Sequence, residues 1–338
     1  MRYVYLLSLL VATLFCASAW IQSAAGAAHH GLLLVANKGD KSLGIIDPVA
    51  GRQVAVVPEN GITGHEVISS PDGRFAYVPI YGNSGVGQPG TDGSNLVVVD
   101  LASRKLAGNV DFGKGVRPHC PIFGPKNGML YVTTELEHSI TIIDPATLKI
   151  VGTVPTGQPE SHMLAITRNG RRGYTANVGP GTVSVVDLEA RKTLTVIPVS
   201  THIQRISLSA DDSMVFTSDV TKPQLAVIDT ATNKLKTWIP MPGLGYGSAA
   251  TPDGKWLVIA LPSVNQVGVI DLHTMKVAHT VDVPARPQEV LVVPEKNTAY
   301  VSCDQSGKIA AISLAAWKVQ GLIDAGSGAD GLAWAAAR

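Results

Sequence analysis

Seven polar residues recur at one equivalent point of this chain. His65, His119, His162, Gln204, Tyr246, Gln288 and Asp330 are spaced 54, 43, 42, 42, 42 and 42 residues apart. A period of roughly 40 to 45 residues is the length of one four-stranded propeller blade, and seven such units close into a ring. The repeat therefore predicts an all-β, seven-bladed β-propeller with these seven side chains facing one another around a central channel.

The local pattern agrees. The unit that begins at Gln204 reads as four runs, RISLSADDS, MVFTSDV, QLAVIDTATN and KLKTWIPM, each bounded by turn-forming residues. The runs are short and rich in Val, Ile and Leu, which predicts strands rather than helices. In six of the seven units the third run ends in aspartate, at Asp47, Asp100, Asp144, Asp187, Asp229 and Asp271, with Ser313 in the last. An Asp there can accept hydrogen bonds from nearby backbone amides, so its repetition points to turn structure rather than catalysis. The N-terminal runs GLLLVAN, SLGIIDP and RQVAVVP supply only the second, third and fourth strands of a blade, and DGLAWAA at 330–336 supplies the missing first. The last blade is thus expected to be stitched from both ends of the chain, which removes the ring's free edges.

Residues 1–28 read as a cleavable export signal: Arg2, an apolar run from Val4 to Phe15, then the small-residue stretches ASA and SAAGAA. The run is short for a membrane span and lacks a basic stop-transfer flank. These features predict a periplasmic or secreted protein without stable membrane insertion, with residues 29–338 as one propeller domain. Charged residues make up 16% of the chain and the net charge is +1. That balance, without any Lys/Arg cluster, disfavours nucleic acid as a partner. Cys120 and Cys303 fall in different blades, so no disulfide is expected, and a ring with paired edges predicts a monomer.

The runs YVTT (131–134), YTAN (174–177) and LVAN (34–37), each thirteen residues before a strand-end Asp, together with SPDG (70–73) and TPDG (251–254), resemble the YVTN-repeat seven-bladed β-propellers. These belong to the wider lactonase-like and cytochrome-d1-like group. The resemblance spans the chain after the signal and implies the fold. Arg117, Glu160 and the hub histidines are also similar to the Glu, His and Arg mixture proposed for propeller lactonases.

The seven hub residues open the first strands and so gather at one mouth of the channel, with neighbours roughly 7 Å apart in a generic seven-fold ring. Three neutral imidazoles with an open fourth position suit a catalytic zinc, and imidazole also suits copper. His65, His119 and His162 are therefore the candidate metal ligands. With no carboxylate among them, a metal keeps its positive charge and can polarise a carbonyl or activate water.

Gln204, Tyr246 and Gln288 continue as substrate or channel lining together with Arg286 and Tyr81, and Asp330 is the carboxylate neighbour of His65. Arg117 and Arg286 each precede a hub residue by two and suit an anionic group, while Glu160, Glu135, His138 and His202 occupy loops of the same face. The Gly-rich insertion YGNSGVGQPGTDGSN, from Tyr81 to Asn95, accounts for the long first spacing and predicts a flexible flap beside His65 and His119. It lacks the Lys-Ser/Thr ending of a phosphate loop. GxSxG, HExxH and CxxCH motifs are absent. His29 and His30 would offer an N-terminal copper site if cleavage followed Ala28. His273 and His279 read as surface residues, and Cys120 as core.

The composite expectation is a small-molecule site using metal-assisted hydrolysis or elimination on a lactone- or ester-like carbonyl. Arg117 would orient the substrate and Asp330 or Glu160 would act as base. The alternatives are a non-catalytic module binding a partner protein or cell-surface polymer through its rim loops, and a copper-dependent oxidase or accessory subunit.

Overall fold

The computed structural model describes residues 30–337, so the export-signal expectation and His29 lie outside it. The described residues form seven four-stranded antiparallel sheets. Blade 7 pairs Ala329–Ala335 with Leu32–Asn37 and continues through Ser42–Asp47 to Arg52–Pro58, the expected stitching of the two ends. The first strands of blades 1 to 6 are Ile68–Ser69, Pro118–Phe123, Ser161–Ile166, Ile203–Leu208, Ser248–Ala250 and Pro287–Val293. This is the seven-bladed β-propeller that the repeat predicts.

The core lies between blades. Ile140, Val154 and Cys120 of blade 2 pack with Leu164, Tyr174 and Val183 of blade 3, and Ile206 of blade 4 joins the same cluster. Middle strands are buried on both faces, whereas outermost strands such as Lys192–Pro198 are largely exposed. Each outer strand carries a register shift against its neighbour, for example at Val185/Val186 and Val227/Ile228. Such bulges increase strand twist.

The repeated aspartates cap turns. Asp47 Oδ1 accepts from the amides of Val49 and Ala50 at 2.9 and 3.0 Å, and Asp271 does the same for His273 and Thr274. Hydrogen bonding to the charged form, from Ala50 first, holds the Asp47 carboxyl below its ordinary value. Cys120 and Cys303 are buried free thiols. Among the described residues no helix is long and apolar enough to cross a membrane.

Candidate functional site at the hub mouth

Three repeat positions build the hub, where the sequence pattern suggested one. The first is the seven-residue set that opens the first strands. Its entry is irregular: register shifts fall at Pro118/Pro121, Ser161/Met163, Ile203/Ile206 and Pro287/Val290. Two residues before the hub position the backbone is left-handed at Arg117, Glu160 and Arg286 (φ 51, 53 and 60°). That conformation costs a non-glycine residue roughly 1–2 kcal/mol. The bulge breaks strict alternation, so the following residue can also reach the channel. This second position carries Glu66, Arg205 and Glu289. Cys120, at the same position in blade 2, stays in the core as expected, its thiol donating to the Leu164 carbonyl. The third position follows the second strand in six blades, at Lys38, Glu135, Val178, Val220, Pro262 and Asp304, and in blade 1 is Tyr81 near the end of the longer strand Phe75–Gly82.

Blades 1 to 3 assemble an imidazole cluster. His119 and His162 stack with ring centroids 3.6 Å apart, and His65 meets His119 edge-on at 5.6 Å. Tyr81 touches all three rings, at 4.8, 5.1 and 5.5 Å. His162 Nδ1 lies 3.2 Å from Glu135 Oε2, which also accepts the Tyr81 hydroxyl at 2.6 Å. Against an ionised carboxylate Nδ1 carries the proton, which leaves the Nε2 lone pair free.

Burial drives His65 down to about 3, pushes His119 well below its ordinary value and lowers His162 despite Glu135. All three are therefore neutral. Burial opposes the charge on Glu135, but hydrogen bonds from His162, Tyr81 and the Gly87 amide outweigh it and hold this carboxyl low.

The flap is fastened over this cluster. Arg117 donates from Nε to Asp92 at 2.7 Å, from Nη1 to Glu135 at 3.2 Å and from Nη2 to the Gln88 carbonyl at 2.6 Å. The Gly87 amide reaches Glu135 at 3.4 Å. A Cβ on Gly87 (φ 67°) would stand 2.6 Å from the Glu160 carboxylate, so a side chain there would have to displace Glu160 while holding a left-handed backbone. Glu160 also accepts the Gly179 amide at 2.6 Å. Under this cover His119 and His162 are 2% and 3% exposed. The segment expected to be flexible is thus pinned to blades 2 and 3. Arg117, expected to orient a substrate, spends its guanidinium on holding the flap.

Blades 4, 6, 7 and 1 build a different centre. Arg205 Nη1 donates to Glu66 and, at 2.8 Å, to Glu289, while Nη2 donates to Asp330 at 2.9 Å. Its guanidinium lies 4.8 Å from the Tyr246 ring. The second oxygen of Asp330 is 3.0 Å from Lys38 Nζ. Burial opposes ionisation of Asp330, but Lys38 and Arg205 outweigh it and lower its pKa. Both its oxygens are committed to cations, which unsuits it to the role of base. Glu66 and Glu289 are shifted upward, because burial outweighs the opposing pull of Arg205.

Arg205, Glu66, Glu289 and Lys38 are the functional candidates that the sequence pattern did not single out. Each sits at an equivalent repeat position, and reading all positions of the period for charge would have found them.

Between these centres the mouth opens into a cavity of about 660 Å³. Gln204, Tyr246, Gln288 and Arg286 line it with Val178 and Pro262, and the flap tip at Gly85 and Val86 forms one side. Among the described residues no three His, Cys, Asp or Glu side chains are placed to hold a metal ion together. The donors nonetheless suit a transition metal in kind. The imidazoles are neutral, one is backed by a carboxylate, and His119 Nδ1 is buried without a hydrogen-bond partner.

Fold and hub together define a seven-bladed β-propeller with an imidazole-lined mouth. The same fold occurs in Kuenenia stuttgartiensis hydrazine synthase, at 17% identity over 88% of this chain and 99% of that one, TM-score 0.71. It also occurs in dihydro-heme d1 dehydrogenase NirN in complex with DHE, at 15% identity over 87% of this chain and 63% of that one, TM-score 0.62. A functionally unknown protein from Desulfotomaculum acetoxidans DSM 771 matches at 12% identity over 90% and 98%, TM-score 0.73. At these identities the likeness establishes the fold alone. No protein-family model and no curated protein matches the chain.

Proposed function

We propose that this chain is an exported, monomeric YVTN-type propeller that binds a small molecule at the hub mouth. Zinc or copper on His65, His119 and His162 would make it a hydrolase or lyase for a lactone- or ester-like carbonyl. The observation that supports this reading is the convergence of three neutral imidazoles from consecutive blades, with Glu135 fixing the tautomer of His162. When bound, the metal supplies Lewis acidity toward a carbonyl oxygen.

The remaining work falls to the chain's own groups. Glu135 turns the His162 Nε2 lone pair outward, and Arg117 neutralises Glu135 while holding the flap that excludes water. Glu160 is a better base than Asp330, because one of its oxygens accepts the Gly179 amide and the other has no described donor.

Elemental analysis of tag-free protein after zinc or copper loading tests the reading. About one equivalent is expected for the wild type, and loss of that metal for the volume-conserving variant His162→Gln with an unchanged circular dichroism spectrum. A wild type that takes up neither metal overturns the metal reading and leaves a non-catalytic binding role through the rim loops.

A second reading has its own support. The similar fold of NirN was solved in complex with DHE, and neutral imidazole also serves as an axial ligand of haem iron. Titration with haem separates the two: an absorption band that His162→Gln abolishes favours a tetrapyrrole over a bare metal.

A further inference from the structure

The mouth cavity has a composition that the imidazole cluster does not explain. It lies where the repeat position after the second strand is small or apolar, at Val178 and Pro262, rather than polar as at Lys38, Glu135 and Asp304. Beyond Val178 and the flap tip, its walls come from blades 4, 5 and 6: the hub residues Gln204, Tyr246 and Gln288, and Leu244 and Arg286 two residues before two of them. No carboxylate lines it, and Arg286 is its one residue that is charged at every ordinary pH.

The Arg286 side chain is 53% exposed, and its Nε makes an ion pair with Asp304 at 3.6 Å, too long for a hydrogen bond. Asp304 is in turn shared with Lys38 at 3.9 Å, and the Nη groups of Arg286 donate to no described residue. Gln204 and the Tyr246 hydroxyl likewise make no side-chain hydrogen bond to a described residue. The Gln288 amide nitrogen is taken by the Arg286 and Pro287 carbonyls, which leaves its oxygen as an acceptor. Val86 of the flap, Val178, Leu244 and Pro262 add apolar surface to the lining.

We propose that this cavity binds a small amphipathic carboxylate: its anionic head on Arg286, its polar atoms on Gln204, Tyr246 and Gln288, and its apolar body between the flap tip and Leu244. A pocket of this size encloses a ligand of drug-like dimensions, with a few convergent polar groups fixing its orientation. An arginine with free Nη donors matches a carboxylate in a two-point fork. The proposal rests on the reading of the mouth as a small-molecule site, and it names the ligand class without requiring the metal.

Ligand-observed NMR titration with naphthaleneacetate and its uncharged isostere naphthaleneacetamide tests it. In the wild type the acid is expected to bind about tenfold more tightly than the amide, the scale of one charge-assisted contact. Arg286→Gln should bring the two within about twofold, and Arg171→Gln, on the opposite face, should leave the preference intact. Equal binding of the two probes, absence of binding by either, or a preference that survives Arg286→Gln overturns the proposal. The assay uses metal-free protein, and metal uptake by Arg286→Gln is measured in parallel. A wild type that takes up metal but shows no anion preference therefore counts against this proposal alone, whereas a wild type that takes up no metal but keeps a preference abolished by Arg286→Gln counts against the metal reading alone.

Discussion

Two halves of one hub solve opposite problems. On blades 1 to 3 the channel is filled with neutral rings, one buried imidazole nitrogen has no partner, and a flap covers the cluster. Across the channel Arg205 meets carboxylates from blades 1, 6 and 7, and Lys38 completes the set. The first half keeps donor capacity in reserve, which is what a ligand site needs. The second turns both terminal nitrogens of Arg205 inward onto carboxylates, with only its Nε lacking a partner among the described residues, and ties four blades together, including the C-terminal strand that closes the ring. The same repeat position yields either outcome according to whether its neighbours in the period are charged.

The largest expected effect comes from breaking the ionic half. Arg205→Met leaves Glu66, Glu289 and Asp330 buried without their central cation and should cost about 3–5 kcal/mol in urea unfolding. A loss below about 1 kcal/mol would mean that the cage is incidental.

Next comes a carboxyl in the connection between blades 7 and 1. Glu59 is 1% exposed, accepts the Gly64 amide at 2.7 Å and has its other oxygen unpartnered. Burial raises its pKa from 4.5 to about 7. A raised folded pKa gives stability that is complete below pH 4.5 and is lost as pH rises through 7. The loss is about 1.4 kcal/mol per unit, or about 3 kcal/mol across the window. Glu59→Gln should flatten that decline in a pH series of denaturant midpoints, and an unchanged slope would show that the group is solvated.

A smaller effect sharpens the ligand half. Arg117→Gln removes the guanidinium that holds the flap carbonyls and should cost about 1–3 kcal/mol. It should also speed hydrogen exchange at Gly87 and Gln88, and unaltered exchange would mean that the flap is held by other contacts. The smallest effect belongs to the strand-end aspartates: Asp229→Ala, which removes only an exposed turn contact to Thr232, should move Tm by no more than about 2 °C.

The ring was readable because every blade repeats the same turn and strand chemistry. Asp47 through Asp271 act as turn acceptors, and the closure of the last blade, a C-terminal first strand on an N-terminal second strand, follows from counting runs. The placement of His65, His119, His162 and Tyr81 near one another was equally legible. What strict two-residue alternation concealed was the bulge at the hub, which lets Arg205 and Glu289 join Gln204 and Gln288 in the channel. The tasks of Arg117 and Asp330 were concealed for a different reason. Their partners, Glu135, Asp92 and Lys38, arrive from other loops, and no spacing along the chain records which charges meet across a ring.

The difference between the two halves is tested most directly by calorimetric zinc titration of three folded proteins side by side: wild type, His162→Gln and Arg205→Met. Binding of about one equivalent by the wild type and Arg205→Met, but not by His162→Gln, is the expected result. Retention of zinc by His162→Gln, or its loss in Arg205→Met alone, would contradict the division of the hub into a ligand half and a locking half.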